Sequence, residues 1–175
     1  MEKNSKKIWE EFYNKYSRSF WFYIYKICGD KNMADDTFQE SFYKFLRTKP
    51  VILNENQMKS YLYKIAFRLI IDKKRRIKVE KKAFEEKKEV YKGSMYKESQ
   101  DSGILFSLDV EKTFKLLKPR ERILLWLAYA EGYSCNEIAE ITKTKENSIK
   151  VQLFRARKEF ANILKRKKYK GGMES

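Results

Sequence analysis

Residues 134–157 read SCNEIAEITKTKENSIKVQLFRAR and contain two helical patterns separated by a short break. Ser134 and Glu137 have the spacing of a capping box, in which the serine caps the helix and the glutamate reaches back to it. After residues 142–145 a second apolar seam begins, formed by Ile149, Leu153, Ala156, Phe160 and Leu164. A short helix, a tight turn and a longer basic helix are typical of a helix-turn-helix unit.

In such a unit the second helix enters the major groove of DNA. The amides of Asn147 and Gln152 suit adenine edges, and Lys150 and Arg155 suit guanine or phosphate. Further cations suit phosphates, namely Arg157, Lys158 and the run from Lys165 to Lys168. The alternative is an ordinary amphipathic hairpin with a solvated basic face, and the pattern favours DNA binding over it.

The charge of the chain points the same way. It has 40 Lys and Arg against 24 Asp and Glu, a net charge of +16. Such a field favours polyanions, nucleic acid first and an anionic membrane second. Residues 145–170 hold ten basic and two acidic residues, so they carry half of the net charge. A solvated lysine-rich tail is the alternative interpretation of that segment.

Several chemistries are disfavoured by what the chain lacks. It has no histidine, the commonest general base and metal ligand. Cys28 and Cys135 are isolated in apolar helical patterns, so they form neither a zinc nor a redox spacing. The N terminus has no hydrophobic signal core, and no apolar run approaches the roughly 18 residues that span a bilayer. We therefore expect a cytoplasmic protein without metal or cofactor.

The rest of the chain also has helical spacing, so we predict an all-α fold. Three helices should fill the N-terminal part: Gly29 ends the first, Pro50 closes the second, and Asn54 with Gln57 caps the third. Apolar residues then thin out, and Lys and Glu alternate in blocks with turn residues. We predict a helical domain over 1–77, a flexible linker over 78–107, a helix-turn-helix domain over 108–170 and a tail over 171–175.

A family resemblance extends over both predicted domains. Residues 137–157, with the preceding segments 117–125 and 131–134, resemble region 4 of sigma-70-type factors of the extracytoplasmic-function (ECF) group. Residues 29–42 resemble region 2.2, and residues 61–76 resemble regions 2.3 and 2.4. The segments occur in the family's order and at its spacing, which is more specific than a lone helix-turn-helix.

The resemblance implies a promoter-specificity subunit of bacterial RNA polymerase, which is not an enzyme. Its partners would be core polymerase, through the β′ clamp helices and the β flap, and promoter DNA. Anti-sigma factors are common partners in the group, although nothing in the sequence identifies one. Region 2.2 would bind polymerase through Asp36, Gln39, Glu40 and Tyr43, which share one helix face. Without the family, a merely solvated acidic face would be the preferred interpretation.

The resemblance also assigns the DNA contacts. Regions 2.3 and 2.4 would hold the separated −10 strand, which needs aromatic rings for bases and cations for the backbone. The residues assigned to it are Tyr61, Tyr63, Lys64, Arg68, Lys73, Arg75 and Arg76. For Tyr61, and for the nearby Phe67, a place in the hydrophobic core is an equally good interpretation. The −35 duplex would contact Asn147, Ser148, Lys150, Val151, Gln152, Arg155, Arg157 and Lys158.

Three positions depart from the family pattern. Arg68 stands where many relatives carry an Asn, Tyr61 where a Trp is usual, and residues 142–145 lack the usual turn glycine, so that Thr144 is a candidate cap with a shifted helix start.

Two rival classes remain. A stand-alone helix-turn-helix regulator would bind operator duplex without polymerase. A nuclease would need clustered carboxylates for metal ions, and Asp35, Asp36 and Glu40 form the only cluster of note.

Overall fold

The computed structural model describes residues 2–48, 54–85 and 108–171, and within these ranges it contains helices and no strand. The helices are α1 (Glu2–Cys28), α2 (Lys31–Arg47), α3 (Glu55–Glu85), α4 (Leu108–Leu116), α5 (Pro119–Tyr129), α6 (Cys135–Thr142) and α7 (Glu146–Gly171). The predicted all-α fold is confirmed. None of the helices is long and apolar enough to cross a membrane. Pro50, most of the predicted linker (86–107) and residues 172–175 lie outside the described ranges.

The helix ends in the N-terminal part follow from local chemistry. Gly29 has a φ of 73°, a left-handed conformation that glycine adopts without steric cost, and it ends α1. The carboxylate of Asp30 then accepts a hydrogen bond of 2.7 Å from the backbone N–H of Met33 and so caps α2. Asn54 and Gln57 each accept from the other's backbone N–H, at 2.9 and 3.0 Å. The predicted cap of α3 is confirmed, and α3 continues past residue 77 to Glu85.

Helices α1, α2 and α3 form an aromatic N-terminal bundle. Phe20 packs edge-on against Phe42 of α2 and Tyr63 of α3, with ring centres 5.6 and 5.4 Å apart. The indole Nε1 of Trp21 donates to the Asp35 carboxylate at 2.6 Å, which fixes α2 against α1. Asp35 is therefore a half-buried structural acid, unlike the neighbouring Asp36, which is exposed.

Helices α4 to α7 form the C-terminal bundle, with the helix-turn-helix in α6 and α7. Pro119 opens α5, where its missing N–H has no cost. The predicted capping box is confirmed, because the Ser134 side chain accepts from the Glu137 N–H and the Glu137 carboxylate accepts from the Ser134 N–H. The inner faces of α6 and α7 meet through residues that are all buried, namely Ile138, Ala139, Ile141, Ile149, Leu153 and Ala156.

The turn between α6 and α7 contains strain. Lys143 has a φ of 52° and lies in the left-handed region, which a residue with a Cβ adopts at a cost of about 1–2 kcal/mol. The hydroxyl of Thr144 donates to the Thr142 carbonyl and accepts from Arg120, and α7 begins at Glu146. The glycine that the family places in this turn would relieve the strain.

We therefore expect Lys143→Gly to raise the free energy of unfolding by about 0.5–1 kcal/mol, because glycine adopts the left-handed conformation at no steric cost. Urea denaturation measures the change. Lys143→Ala is the matched control, since it removes the same side chain and keeps the Cβ. Equal stability of the two variants would contradict the strain in this turn.

The two bundles pack on each other. Trp126 of α5 is 6% exposed, and its ring centre lies 5.9 Å from that of Phe22 and 6.0 Å from that of Tyr23, both on α1. Helix α3 contacts α5 and α6 as well. One hydrophobic core therefore runs through both bundles.

Candidate nucleic-acid and protein interfaces

The acidic face of α2 is presented to solvent. Asp36 and Gln39 are exposed, and the Tyr43 side chain, one turn further on, is 62% exposed. The guanidinium of Arg47 lies 5.7 Å from the centre of the Tyr43 ring, within the range of a cation–π contact. This face combines negative charge, an amide and an aromatic ring, which suits a basic protein surface and repels DNA.

Glu40 differs from its neighbours on this face. Its carboxylate is 2.9 Å from the Lys44 ammonium and 3.6 Å from that of Lys73 on α3. The hydrogen bond from Lys44 is the main reason that the pKa of Glu40 is lowered, and the charge of Lys73 adds to it. A predicted polymerase contact and a predicted DNA contact are thus joined in one ion-pair network.

Six of the seven residues assigned to the −10 strand fall into two groups, exposed and half-buried, and the seventh, Tyr63, is buried. Arg68, Arg75 and Arg76 are exposed on α3, and Arg75 pairs with Asp72 at 3.2 Å. Tyr61, Lys64 and Lys73 are half-buried, with the Tyr61 ring centre 6.1 Å from that of Phe45. The exposed arginines form a cationic surface that suits a nucleic-acid backbone.

Tyr63 and Phe67 are covered by the C-terminal bundle. Tyr63 is 2% exposed, and its ring contacts Tyr133 edge-on at 5.9 Å and Tyr23 at 4.8 Å. Burial raises the pKa of the Tyr63 hydroxyl well above its usual value, and the neighbouring Glu131 raises it further. Phe67 lies beneath the guanidinium of Arg120 on α5, 5.8 Å from the ring centre.

Helix α7 presents most of the residues assigned to the −35 duplex. Exposed are Asn147, Lys150, Val151, Arg155, Arg157 and Lys158, whereas Ser148 and Gln152 are half-buried. Lys150 pairs with Glu146 at 2.8 Å, and this contact raises the pKa of the lysine. The Arg157 guanidinium donates to the Tyr129 hydroxyl at 3.1 Å.

Gln152 is held by Arg120, a residue that the sequence analysis did not single out. The Arg120 Nε donates to the Gln152 Oε1 at 2.8 Å, and its Nη2 donates to the Thr144 hydroxyl at 3.0 Å. Because a guanidinium only donates, the amide oxygen of Gln152 must face Arg120. Arg120 thus connects the recognition helix α7 to the turn that precedes it. Arg120 is 32 positions from Gln152, so local sequence patterns could not predict their hydrogen bond.

Phe154 is a second residue missed by the sequence analysis. It is 60% exposed on α7, beside Arg155 and two positions before the buried Ala156. A large aromatic side chain in a basic helix, but off the apolar seam, was the signal that could have identified it. Together with Val151, which is 48% exposed, it gives the recognition surface an apolar component suited to thymine methyl groups.

The described residues do not point to metal or thiol chemistry. No group of His, Cys, Asp and Glu side chains that could hold a metal ion occurs among the residues that the structure describes. Both cysteines are free thiols, and burial raises the pKa of Cys28 to about 11, so it stays protonated at neutral pH.

An exposed basic helix in a helix-turn-helix, joined to an aromatic bundle with an acidic face, is the arrangement expected of a DNA-binding protein that also docks on another protein. Known family models match both bundles: Sigma-70 region 2 over residues 12–79 and Sigma-70 region 4 over residues 107–160. The RNA polymerase sigma factor SigV of Bacillus subtilis (strain 168) is 31% identical over 142 residues, which cover 78% of this chain and 80% of SigV. The chain belongs to the sigma-70 family of RNA polymerase sigma factors, in its extracytoplasmic-function group. It is a specificity subunit that binds core polymerase and promoter DNA.

A solved structure shares this fold. The sigma factor RpoE of Bartonella quintana, in a co-crystal with the anti-sigma factor NepR, superposes with a TM-score of 0.73. The match covers 91% of this chain and 98% of RpoE, at 19% identity. The arrangement of helices across both bundles is therefore one that occurs in a crystal structure.

Proposed function

We propose that this sigma factor works through three separate surfaces and has no catalytic chemistry of its own. The acidic face of α2 docks on the polymerase clamp helices through Asp36, Gln39, Glu40 and Tyr43. Helix α7 reads the −35 duplex, and α3 holds the −10 strand. The observation that carries the proposal is the exposure of the α2 face and of the α7 recognition residues at the same time. The protein acts in the cytoplasm, where polymerase and promoter DNA are found.

The −35 duplex is read by a mixed surface on α7. Asn147, Lys150 and Arg155 supply donors for base edges, and Val151 with Phe154 supplies apolar contacts to thymine methyls. Arg157 and Lys158 lie where they can hold phosphates, which fixes position without reading sequence. Gln152 contributes through an amide already oriented by Arg120.

The −10 strand is held on α3 by its exposed arginines and by its aromatic rings. Arg68, Arg75 and Arg76 supply backbone contacts, and Tyr61 and Tyr63 supply stacking surfaces for unpaired bases. In this scheme Arg68, in place of the family's Asn, contacts the backbone or a base through its guanidinium.

A reconstituted run-off transcription assay tests the proposal. Core polymerase from a related bacterium, this chain and a genomic promoter library should produce start sites that share two spaced motifs. Specific duplex binding by the chain alone, without initiation, would instead establish the stand-alone regulator. That alternative is not favoured, because it leaves the region 2 match over residues 12–79 without a role. An anti-sigma partner stays a prediction, since the RpoE likeness shows the fold alone.

We expect Phe154→Ala to weaken initiation roughly fivefold on promoters with a thymine at the contacted −35 position, and much less on variants lacking it. The loss corresponds to about 1 kcal/mol of apolar contact with the methyl group. Lys158→Ala is the control: a lost phosphate contact should weaken binding almost equally on all sequences and lower the salt slope by about 1. An equal loss on every sequence for Phe154→Ala would refute base contact by this ring.

A further inference from the structure

One arginine of α5 holds a glutamine of the recognition helix α7 in a defined orientation. The Arg120 guanidinium is fixed at two points, because its Nε donates to the Gln152 Oε1 at 2.8 Å and its Nη2 donates to the Thr144 hydroxyl at 3.0 Å. The Thr144 hydroxyl donates in turn to the Thr142 carbonyl at 3.3 Å. All four residues belong to the C-terminal bundle, so this arrangement does not depend on the contact between the bundles.

The two ends of the Gln152 amide differ in what they offer to DNA. Its Oε1 only accepts hydrogen bonds and its Nε2 only donates, while the guanidinium of Arg120 has donors alone. A rotation of the amide by half a turn would set donor against donor and would lose a hydrogen bond that the arginine charge strengthens. Gln152 is half-buried, as is Arg120, and the end of the amide left for a base edge is therefore the Nε2 donor.

The bases differ in which of these ends they can use. Adenine pairs with both ends of a glutamine, guanine presents two acceptors in the major groove, and cytosine presents a donor. We propose that Arg120 is a positioning residue that makes Gln152 a donor-only contact, which selects guanine and rejects cytosine in the −35 duplex. The adenine contact expected from the residue type alone is then not the one that Gln152 makes. The choice of base rests on the proposed function, whereas the orientation of the amide does not.

Run-off transcription with core polymerase and the full chain measures this preference. The template is a promoter found in the genomic library, with its −35 element randomised at one position at a time. Gln152→Ala identifies the contacted base pair as the position at which discrimination falls. At that position the wild-type chain should use guanine about tenfold better than cytosine, and better than adenine. Equal use of guanine and cytosine there would overturn the proposal.

A change of Gln152 to an acceptor should reverse the preference. In Gln152→Glu one carboxylate oxygen still pairs with Arg120, and the other faces the groove, where it can accept from the cytosine amino group. Cytosine should therefore be used about tenfold better than guanine at the same position. This variant keeps every donor of Arg120, so it tests the same point if a substitution of Arg120 prevents folding. An unchanged guanine preference would overturn the proposal.

Arg120→Met removes the donors and retains an unbranched stem. The amide of Gln152 can then turn and pair with adenine through both ends, so adenine should rise to within about twofold of guanine. Arg157→Met is the matched control, because loss of a phosphate contact should lower initiation almost equally for all four bases. A uniform loss in Arg120→Met as well would reduce Arg120 to a structural role. A wild-type adenine preference that disappears in Arg120→Met would show that Oε1 still reads a base, and would also overturn the proposal.

Hydrogen exchange in the free chain tests the orientation of the amide without transcription. Followed by ¹⁵N NMR, the Arg120 Nε–H should exchange with water about tenfold more slowly than that of the exposed Arg155, and Gln152→Ala should remove this protection. Equal rates for the two arginines would overturn the orientation. If no form of the chain initiates transcription with polymerase, the proposed function fails, while protection of Arg120 that depends on Gln152 would still establish the orientation.

Discussion

Asp36→Lys is expected to weaken binding of this sigma factor to core polymerase at least thirtyfold. Asp36 is exposed on the acidic face of α2, one turn from Gln39, on the surface that we propose for the polymerase contact. Reversal of its charge replaces an attraction by a like-charge contact, which at an interface costs about 2–5 kcal/mol. Because the side chain has no structural role in the N-terminal bundle, the free energy of unfolding should change by less than about 0.5 kcal/mol.

The effect is measured as the dissociation constant of labelled chain and core polymerase, with urea denaturation alongside. Glu11→Lys, an equal charge change on the exposed side of α1, should leave the affinity within about twofold. Asp35→Ala is a useful contrast, since Asp35 accepts the Trp21 hydrogen bond and removal of its carboxylate should mainly lower stability. Wild-type affinity in folded Asp36→Lys would remove α2 from the polymerase interface.

Trp126→Ala is expected to lower the free energy of unfolding by about 3–5 kcal/mol, the cost of removing a large aromatic side chain from a core. The ring is 6% exposed and packs between Phe22 and Tyr23 of α1 and Phe114 of α4. Its indole also donates a hydrogen bond to Glu131, which the carboxylate would lose while keeping its ion pair with Lys59. The cavity would therefore affect both bundles at once.

Urea unfolding followed by circular dichroism measures this loss. Trp126→Phe retains most of the ring contacts and loses the hydrogen bond to Glu131, so a smaller loss of about 1–2 kcal/mol is expected. If Trp126→Ala cost less than about 1 kcal/mol, Trp126 would not lie in a core shared by the two bundles.

The features predicted correctly from the sequence are those set by neighbours in the chain. The Ser134 and Asn54 caps and the helix end at Gly29 each depend on residues within one turn, so local rules are sufficient. The two seams of the helix-turn-helix were found for the same reason, because helical periodicity marks which residues face inward.

The features that escaped prediction depend on residues far apart in the chain. Burial of Tyr63 involves Tyr133 of the C-terminal bundle as well as Phe20 and Tyr23 of α1, and the orientation of Gln152 follows from Arg120, 32 positions away. Periodicity predicts that a residue is on an inner or an outer face, but not which other element meets that face. The residue-level assignments to polymerase and DNA therefore stay predictions, whereas the family and the fold are established.

The distance in sequence between the residues that join the two bundles also matters while the chain is being made. Tyr63 leaves the ribosome 70 residues ahead of Tyr133. At bacterial elongation rates of roughly 5–20 residues per second, the N-terminal bundle spends about 4–14 seconds without the C-terminal residues that pack on Tyr63. During that interval its aromatic face is open to chaperones, nucleic acids and other nascent chains, so this growing protein is most exposed to misassembly before α6 has been translated.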